Sequence, residues 1–449
     1  MSEERELPNG WVWTTLGTAA TINPRPNLQA LPDDTVVSFV PMAAVEAGSG
    51  CLDPSEQRPL AAVRRGYTSF LEGDVVFAKI TPCMENGKTA VARGLVGGIG
   101  LGSTEFHVLR PHDGVDAQFL YYYVSQEQFR QTARMHMTGT AGQLRVPTSF
   151  MAEAPFPLPS PPEQRRIVAA IEEQFTRLDA GVAALKSARA RLKQYRAAVL
   201  KAAVEGELTK AWREAHPDAE PASELLARIL GERQAQYGLA GKPAKFRATK
   251  QRKVESTALQ VNGLAEVPKG WCWSRLEQVV TLVTSGSRGW AEFYSDSGPL
   301  FIRAQDINTD ELRLDSVAHV SLPTTSEGTR TRVFQHDLLV TITGANVTKT
   351  ALIREPLSEA YVSQHVGLIR PVLDTIAPYL HLWIITPSHG RKVLEVAAYG
   401  AGKPGLNLDN LRDLIVALPP LAEQEQIVAE VERRLSVLRA LEASVTVGL

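Results

Sequence analysis

The hydrophobic pattern occurs twice along the chain. Pro155 to Ala180 read PFPLPSPPEQRRIVAAIEEQFTRLDA, a short apolar strand, a proline turn and an amphipathic helix. Leu414 to Ala440 read LIVALPPLAEQEQIVAEVERRLSVLRA, the same arrangement 260 positions later. Pro159 corresponds to Pro419, Glu163 to Glu423, Gln164 to Gln424, Ile167 to Ile427 and Val168 to Val428. A period this long is no solenoid repeat but a duplicated domain with its connector.

The openings of the two copies keep the same offset. Leu7 to Gly17 read LPNGWVWTTLG and Val267 to Glu277 read VPKGWCWSRLE. Trp11 and Trp13, like Trp271 and Trp273, are spaced to share one face of a short strand. That spacing predicts core anchors rather than base-stacking rings. Val36 to Val45 (VVSFVPMAAV) then corresponds to Pro299 to Ile307 (PLFIRAQDI), and Glu72 to Phe77 (EGDVVF) to Gln335 to Val340 (QHDLLV). A turn followed by β-branched and aromatic residues predicts a buried strand. The strands lead into KITPCMENGKTAVAR and TITGANVTKTALIR, the second copy being two residues shorter between the shared Asp and the shared Lys-Thr-Ala. The copies thus differ most in a loop, where binding variation is expected. Ser103 to Pro111 matches Ser363 to Pro371, and helical patterns follow over Gln118 to Thr132 and Pro378 to Val396. A glycine loop, GTAGQL or YGAGKPGL, and a strand ending in proline close each copy.

The helix after the first copy opens on Ser160-Pro161-Pro162-Glu163, a capping residue with proline and glutamate in the first turn. Ile171, Leu178, Leu185, Leu192 and Val199 recur every seven residues, with Ile167, Phe175, Val182 and Tyr195 between them. This is a coiled-coil seam. Continued to Gly206, it would run about 65 Å. From Gly181 to Lys201 it carries six Lys/Arg and no acid. That run reads equally as a solvated face or as one turned to DNA or a partner. The second helix repeats the seam with Val428, Val431, Leu435, Leu438 and Val445. Between the copies lies a connector with a helix pattern over Ala222 to Gln236. The basic stretch Lys242 to Lys253 reads as a flexible linker.

Composition narrows the function. With 449 residues the chain can bury two or three cores. Its 48 Lys/Arg against 49 Asp/Glu count against a simple nucleic-acid coat protein, though not against local basic faces. Cys51, Cys83 and Cys272 lack metal or disulfide spacing, and no apolar run is long enough to span a membrane. The start, MSEERELPNG, has no signal-peptide pattern, so a reducing cytoplasm is expected. Enzyme signals fail. Gly87-Lys88-Thr89 resembles the end of a phosphate loop, but Pro82 stands where that loop needs glycine. Gly98, Gly100 and Gly102 lack dinucleotide-binding spacing and predict a turn. No Asn-Pro-Pro-aromatic tetrapeptide or HExxH occurs, and the pairs Asp33-Asp34 and Glu172-Glu173 read as loop and helix surface.

Over nearly its whole length the chain resembles the specificity subunit of type I restriction–modification systems. The residues that carry the likeness are LPNGW and VPKGW, FIRAQDI, the GD or HD turn before KITP and TITG, PLPSPPEQRRIV and ALPPLAEQEQIV, and LKQYRAAVLKAAVEGELT. The resemblance implies an α+β protein, with two pseudo-symmetric α/β target recognition domains joined by long antiparallel coiled-coil helices. The expected domains are 1–158, a central helix 159–207, a connector 208–265, a second domain 266–418 and a last helix 419–449. Each domain would read half of an asymmetric bipartite target in double-stranded DNA, with the helices setting the spacer. Two modification (methyltransferase) subunits would supply S-adenosylmethionine, and restriction/motor subunits would join for cleavage. The chain itself would hold no cofactor or metal and catalyse nothing.

The polar loops after the buried strands are the candidates for DNA contact: Lys79, Thr81, Asn86 and Lys88, and Thr341, Thr343, Asn346 and Lys349. Arg303 and Gln305 join them, since arginine suits guanine and glutamine adenine. Each reads equally as an ordinary loop or strand residue. The seam residues Ile171, Leu178, Leu185, Leu192, Val199, Val431 and Leu438 are the candidates for helix pairing or partner contact. Two other readings stand beside this one: a stand-alone DNA-binding protein, and a coiled-coil scaffold whose domains bind protein.

Overall fold

The computed structural model describes residues 7–140, 143–239, 265–286, 289–321, 326–400 and 404–447. The chain divides into two units, 1–181 and 182–449. In the first, the opening strand Val12–Thr15 runs antiparallel to Pro155–Leu158, with Val12 opposite Leu158. In the second, Cys272–Arg275 runs antiparallel to Ile415–Leu418, with Cys272 opposite Leu418. Each position in the second ribbon is its counterpart plus 260.

Each unit then builds a four-stranded antiparallel sheet. Its order is Ala20–Ile22, Phe106–Pro111, Val75–Ala78, Thr89–Val91 in the first unit. In the second it is Val280–Ser285, Val366–Pro371, Leu338–Thr341, Thr350–Leu352. Val75–Ala78 and Leu338–Thr341 are buried at every position, as runs without polar alternation should be. A further sheet in each unit contains a parallel pair, Val36–Val40 with Ile99–Gly102 and Tyr294–Ile302 with Ala360–Val362.

The turn before each central strand is fixed by a buried carboxylate. Asp74 accepts the Leu71 amide at 2.7 Å and holds Arg110 through both oxygens at 2.8 and 2.7 Å. Asp337 does the same with the Phe334 amide at 2.8 Å and Arg370 at 2.8 and 2.7 Å. Burial raises the Asp337 carboxyl, and the Arg370 guanidinium opposes that rise.

Several sequence expectations change in three dimensions. The helical pattern over Gln118 to Thr132 is two helices, Ala117–Ser125 and Glu127–Met135, because Gln126 adopts an extended ψ of 141°. Pro378 to Val396 likewise breaks into Ala377–Ile385 and Gly390–Ala397, with Pro387 between them. Gly100 and Gly102 lie in a strand, not a turn. A Cβ on Gly100 would stand 2.2 Å from the Phe70 ring, and one on Gly102 2.0 Å from the Val40 carbonyl. The tryptophans are not four equal core anchors. Trp271 is buried at 7% exposure whereas its counterpart Trp11 is half-buried, and Trp13 is 51% exposed whereas its counterpart Trp273 is half-buried.

The central helix is Pro161–Val204, 44 residues, and the last is Leu421–Val447. Near its start the central helix packs Ile167 and Val168 on the first unit's core. Near its end Val199, Leu200, Ala203 and Val204 enter the second unit's core, with Leu192 partly buried against it. Between Glu172 and Gly181 every residue is exposed; Leu178 stands clear, and Phe175 lies beside the Tyr122 ring with centroids 6.3 Å apart. Ile171 and Leu185 are half-buried. Thus the predicted seam is covered only in part. In the last helix Ile427, Val431, Leu435 and Leu438 all face the second core. Arg433 feels the Tyr195 ring hydroxyl, while Arg213, beyond the end of the central helix, bonds Glu423. Rising numbers on one side meet falling numbers on the other, so the two run antiparallel. The basic stretch Lys242 to Lys253 lies outside the described residues.

His381 is buried, and its Nε2–H donates to the Thr350 carbonyl at 3.0 Å. Burial pushes its pKa down from 6.5 to about 4, so the fold keeps it neutral. The unfolded chain takes up this proton below its own pKa, so stability from this group is full above pH 6.5 and falls toward pH 4. The slope approaches about 1.4 kcal/mol per pH unit. Denaturant midpoints across that range should show this component in the parent and lack it in His381→Gln, which retains a donor for Thr350.

Candidate nucleic-acid interface

The central strand of each unit delivers the polar loop at its far end. In the first unit Lys79 is tied by its backbone to Glu105 and Val146, at 2.9 Å each, and its side chain is half-buried. Thr81 pairs with Leu144: its amide donates to the Leu144 carbonyl at 3.0 Å, and its hydroxyl accepts the Leu144 amide at 3.2 Å. Arg145 grips Glu105 through both carboxylate oxygens at 2.8 and 2.9 Å. That bond holds the Glu105 carboxyl below its ordinary value against burial, and the Arg145 and Lys79 charges add to it. The first unit thus gathers three segments, 79–88, 103–105 and 143–146, at one end of its sheet.

Lys88 has a different task from the one its sequence suggested. Its Nζ donates to the carbonyls of Met42 and Val45, both at 2.9 Å. These carbonyls flank the short helical turn Met42–Ala44. In the second unit Asn346 fills the same role, its Nδ2 reaching the carbonyls of Ala304 and Ile307 at 3.3 and 3.4 Å. Lys349, the sequence counterpart of Lys88, makes no side-chain bond among the described residues. Asn86 and Gln305 are exposed and equally unengaged there.

The remaining candidates belong to the framework. Arg303 is held by Asp306 at 3.0 and 3.1 Å and by the Ser316 carbonyl at 2.7 Å. The Asp306 bond raises its pKa further. Thr341 is fully buried, and Thr343 bridges to Gly405. The Thr343 bridge is made by its backbone, so the heads left for a ligand are Lys79, Asn86, Gln305, Thr343 and Lys349.

Sequence reasoning missed the setting of Gln305. It lines a cleft of about 290 Å³ with Trp290, Tyr294, Phe301, Gln364 and His365. Trp290 stacks on Phe301 with centroids 5.4 Å apart. Trp290 and Phe301 are buried against each other, so the accessible ring is that of Tyr294, 49% exposed, which beside the Gln305 amide can stack on a base and bond its edge. Trp290 sits in a Gly-rich loop whose sequence gives no periodic signal. Among the described residues no His/Cys/Asp/Glu cluster could hold a metal, and no helix is long and apolar enough to cross a membrane.

Over residues 268–442 the chain matches the family model described as the type I restriction modification DNA specificity domain. It is 30% identical over 486 residues to the type I restriction enzyme EcoEI specificity subunit of Escherichia coli, covering 95% of this chain and 78% of that protein. The chain belongs to the type I restriction enzyme specificity subunits. The EcoAI specificity subunit of the same organism is 27% identical, over 98% of this chain and 80% of its own length. As a specificity subunit the chain is the recognition component and not the enzyme. Among solved structures, the HsdS subunit from Thermoanaerobacter tengcongensis shares the fold. Its TM-score is 0.59 at 19% identity, over 98% of this chain and 93% of that one. A structure addressing complex assembly and conformational transition of the type I R-M system gives 0.60 at 20%, over 98% and 94%.

The position of Lys88 makes it a stability residue of this specificity subunit. Lys88→Ala should lower unfolding stability by about 1–3 kcal/mol, the cost of leaving buried carbonyls without a charged donor. Lys349→Ala should leave the thermal midpoint unchanged. Thermal melts of both variants check this.

Proposed function

We propose that each unit of this specificity subunit reads one half of an asymmetric, bipartite target in double-stranded DNA, and that the central and last helices set the spacer. One observation carries this reading. The two units share the opening ribbon and the order of the four-stranded sheet, yet the offset of 260 becomes 263 at the central strand and 261 at its hairpin partner, so they differ in the loops carried by the central strands. Keeping the scaffold while changing the loops is what two unlike half-sites require. The helices take the spacer role because one unbroken 44-residue helix carries the chain out of the first unit and into the second.

In this reading phosphate contacts set the register and polar side chains read base edges. Lys79 and Lys349 suit phosphate or guanine, and Asn86 and Gln305 suit adenine. Two modification subunits bind the chain and bring S-adenosylmethionine for adenine methylation. Restriction and motor subunits join them for cleavage. The relatives' names as type I restriction enzyme subunits support such partners.

The test is co-expression with a cognate modification subunit, followed by methylation-sensitive sequencing of host DNA. A motif of two unlike halves around a fixed gap is expected. Replacing residues 341–354 should alter one half and leave the other and the gap unchanged. A contiguous motif, or a change in both halves, would overturn the assignment. In the same complex Lys349→Ala should reduce the salt slope of DNA binding by about 0.9, the value for one lost phosphate contact. An unchanged slope would remove Lys349 from the interface.

A further inference from the structure

The duplication supplies an internal control for single side chains as well as for strands. In the first unit Arg145 stands in a narrow backbone ladder. Its amide donates to the Thr138 carbonyl at 2.9 Å, its carbonyl accepts the Thr138 amide at 3.0 Å, and Ile80 bridges its other side. In the second unit Gly405 holds the same place. It exchanges bonds of 2.9 and 3.0 Å with Tyr399, and Thr343 bridges its other side. Glu105 and His365 correspond in the same way. Each gives its carbonyl to the amide of the first residue beyond the central strand, Lys79 or Ile342, at 2.9 Å. The second ladder therefore forms with neither charge of the Arg145–Glu105 pair. Crowding does not impose the glycine, since a Cβ at Gly405 would meet nothing nearer than the Ile342 carbonyl at 3.6 Å. The backbone at this place is common to both units, and the side chain is free to vary.

What Arg145 offers follows from its bonds. A guanidinium carries its donors in one plane, one N–H on Nε and two on each terminal nitrogen. Glu105 takes the Nε–H at 2.8 Å and one Nη2–H at 2.9 Å, and the Gln143 carbonyl takes one Nη1–H at 3.2 Å. One N–H on each terminal nitrogen is left, on a side chain 40% exposed. Two donors side by side match the O6 and N7 acceptors that guanine presents in the major groove. The carboxylate fixes the fork before a ligand arrives, so little side-chain freedom is lost on binding. Lys79 lies near enough for its charge to act on Glu105. A phosphate-seeking ammonium thus stands beside the fork. A half-exposed ion pair adds little to a fold, so framework stability gives no reason for this one.

We propose that Arg145, held by Glu105, reads a guanine in the half-site of the first unit. Glu105 is a positioning residue: it touches no base and aims the fork. The second unit, with Gly405 at this place, makes no such contact. Exchange of arginine for glycine on a common ladder is then one way in which the two halves come to differ. The assignment to one half of the target rests on the two-half reading above. The contact itself needs only a duplex lying against the segments 79–88, 103–105 and 143–146.

The test uses the full chain co-expressed with a cognate modification subunit. Methylation-sensitive sequencing of host DNA gives the motif for the parent and for Arg145→Lys, which keeps a charge for Glu105 but loses the fork. One guanine should become degenerate, in the half that replacement of residues 341–354 leaves unchanged. Binding is then measured on duplexes of the parent motif. At that position 7-deazaguanine, which lacks the N7 acceptor, should weaken the parent complex about tenfold and leave the Arg145→Lys complex unaffected. Glu105→Gln should lower discrimination at the same guanine and at no other base. Both variants should keep the parent's thermal midpoint, since the second ladder stands without the pair. Three results would overturn the proposal. These are an Arg145→Lys motif that still requires every guanine, an equal loss of affinity on all duplexes, which marks a phosphate contact, and a lowered midpoint with the motif intact, which marks a framework pair. A contiguous motif would sink the two-half reading alone, because loss of a guanine with Arg145→Lys would still place the arginine on that base.

Discussion

Asp74 and Asp337 are carboxylates taken out of water at a turn, each gripped by an arginine from the neighbouring strand. Such a charge is tolerated only with its partner in place, and removing one member of the pair typically costs 3–5 kcal/mol. Because Arg110 and Arg370 sit on strands that pair with the central one, the pair also fixes register. A one-residue slip would turn every buried side chain of Val75–Ala78 or Leu338–Thr341 to the wrong face. The far ends of these strands carry the variable loops. A rigid root is what lets a loop tip change without disturbing the sheet beneath it.

How a loop changes is visible at one joint. The carbonyls around Met42–Ala44 are closed by the long ammonium of Lys88, and those around Ala304–Asp306 by the short amide of Asn346. The second loop is two residues shorter, so a nearer position with a shorter side chain meets the same need. Lys349 is thereby released from the framework. Divergence between the copies has kept the joint and moved the free charge, which is how one scaffold comes to address two sequences.

The helices show the same economy. The central helix is anchored in a core near each end and exposed between Glu172 and Gly181. Its heptad pattern is continuous, but its burial is not. Glu423 and Glu163 open equivalent helices, yet one is fully enclosed by Arg213, Thr209 and Trp271 while the other is half-buried and pairs with the exposed Arg166. Identical local chemistry has two fates, set by which distant segment arrives.

The duplication, its offset of 260, the strand-to-helix junctions and the apolar seam were all legible in the residues. Each is a local pattern: period two along a strand, period seven along a helix, proline and serine at a helix start. The family likeness rests on the same ordered motifs. The free or engaged state of a polar head was not legible. Lys88 bonds a carbonyl 46 positions away, and Glu423 accepts from Thr209 across 214. The burial of Trp271 and half-burial of Trp11 could not be told apart either, since both hold the same place in the same short motif. Spacing along a chain records which face a side chain takes. What covers that face is decided by segments that only folding brings near.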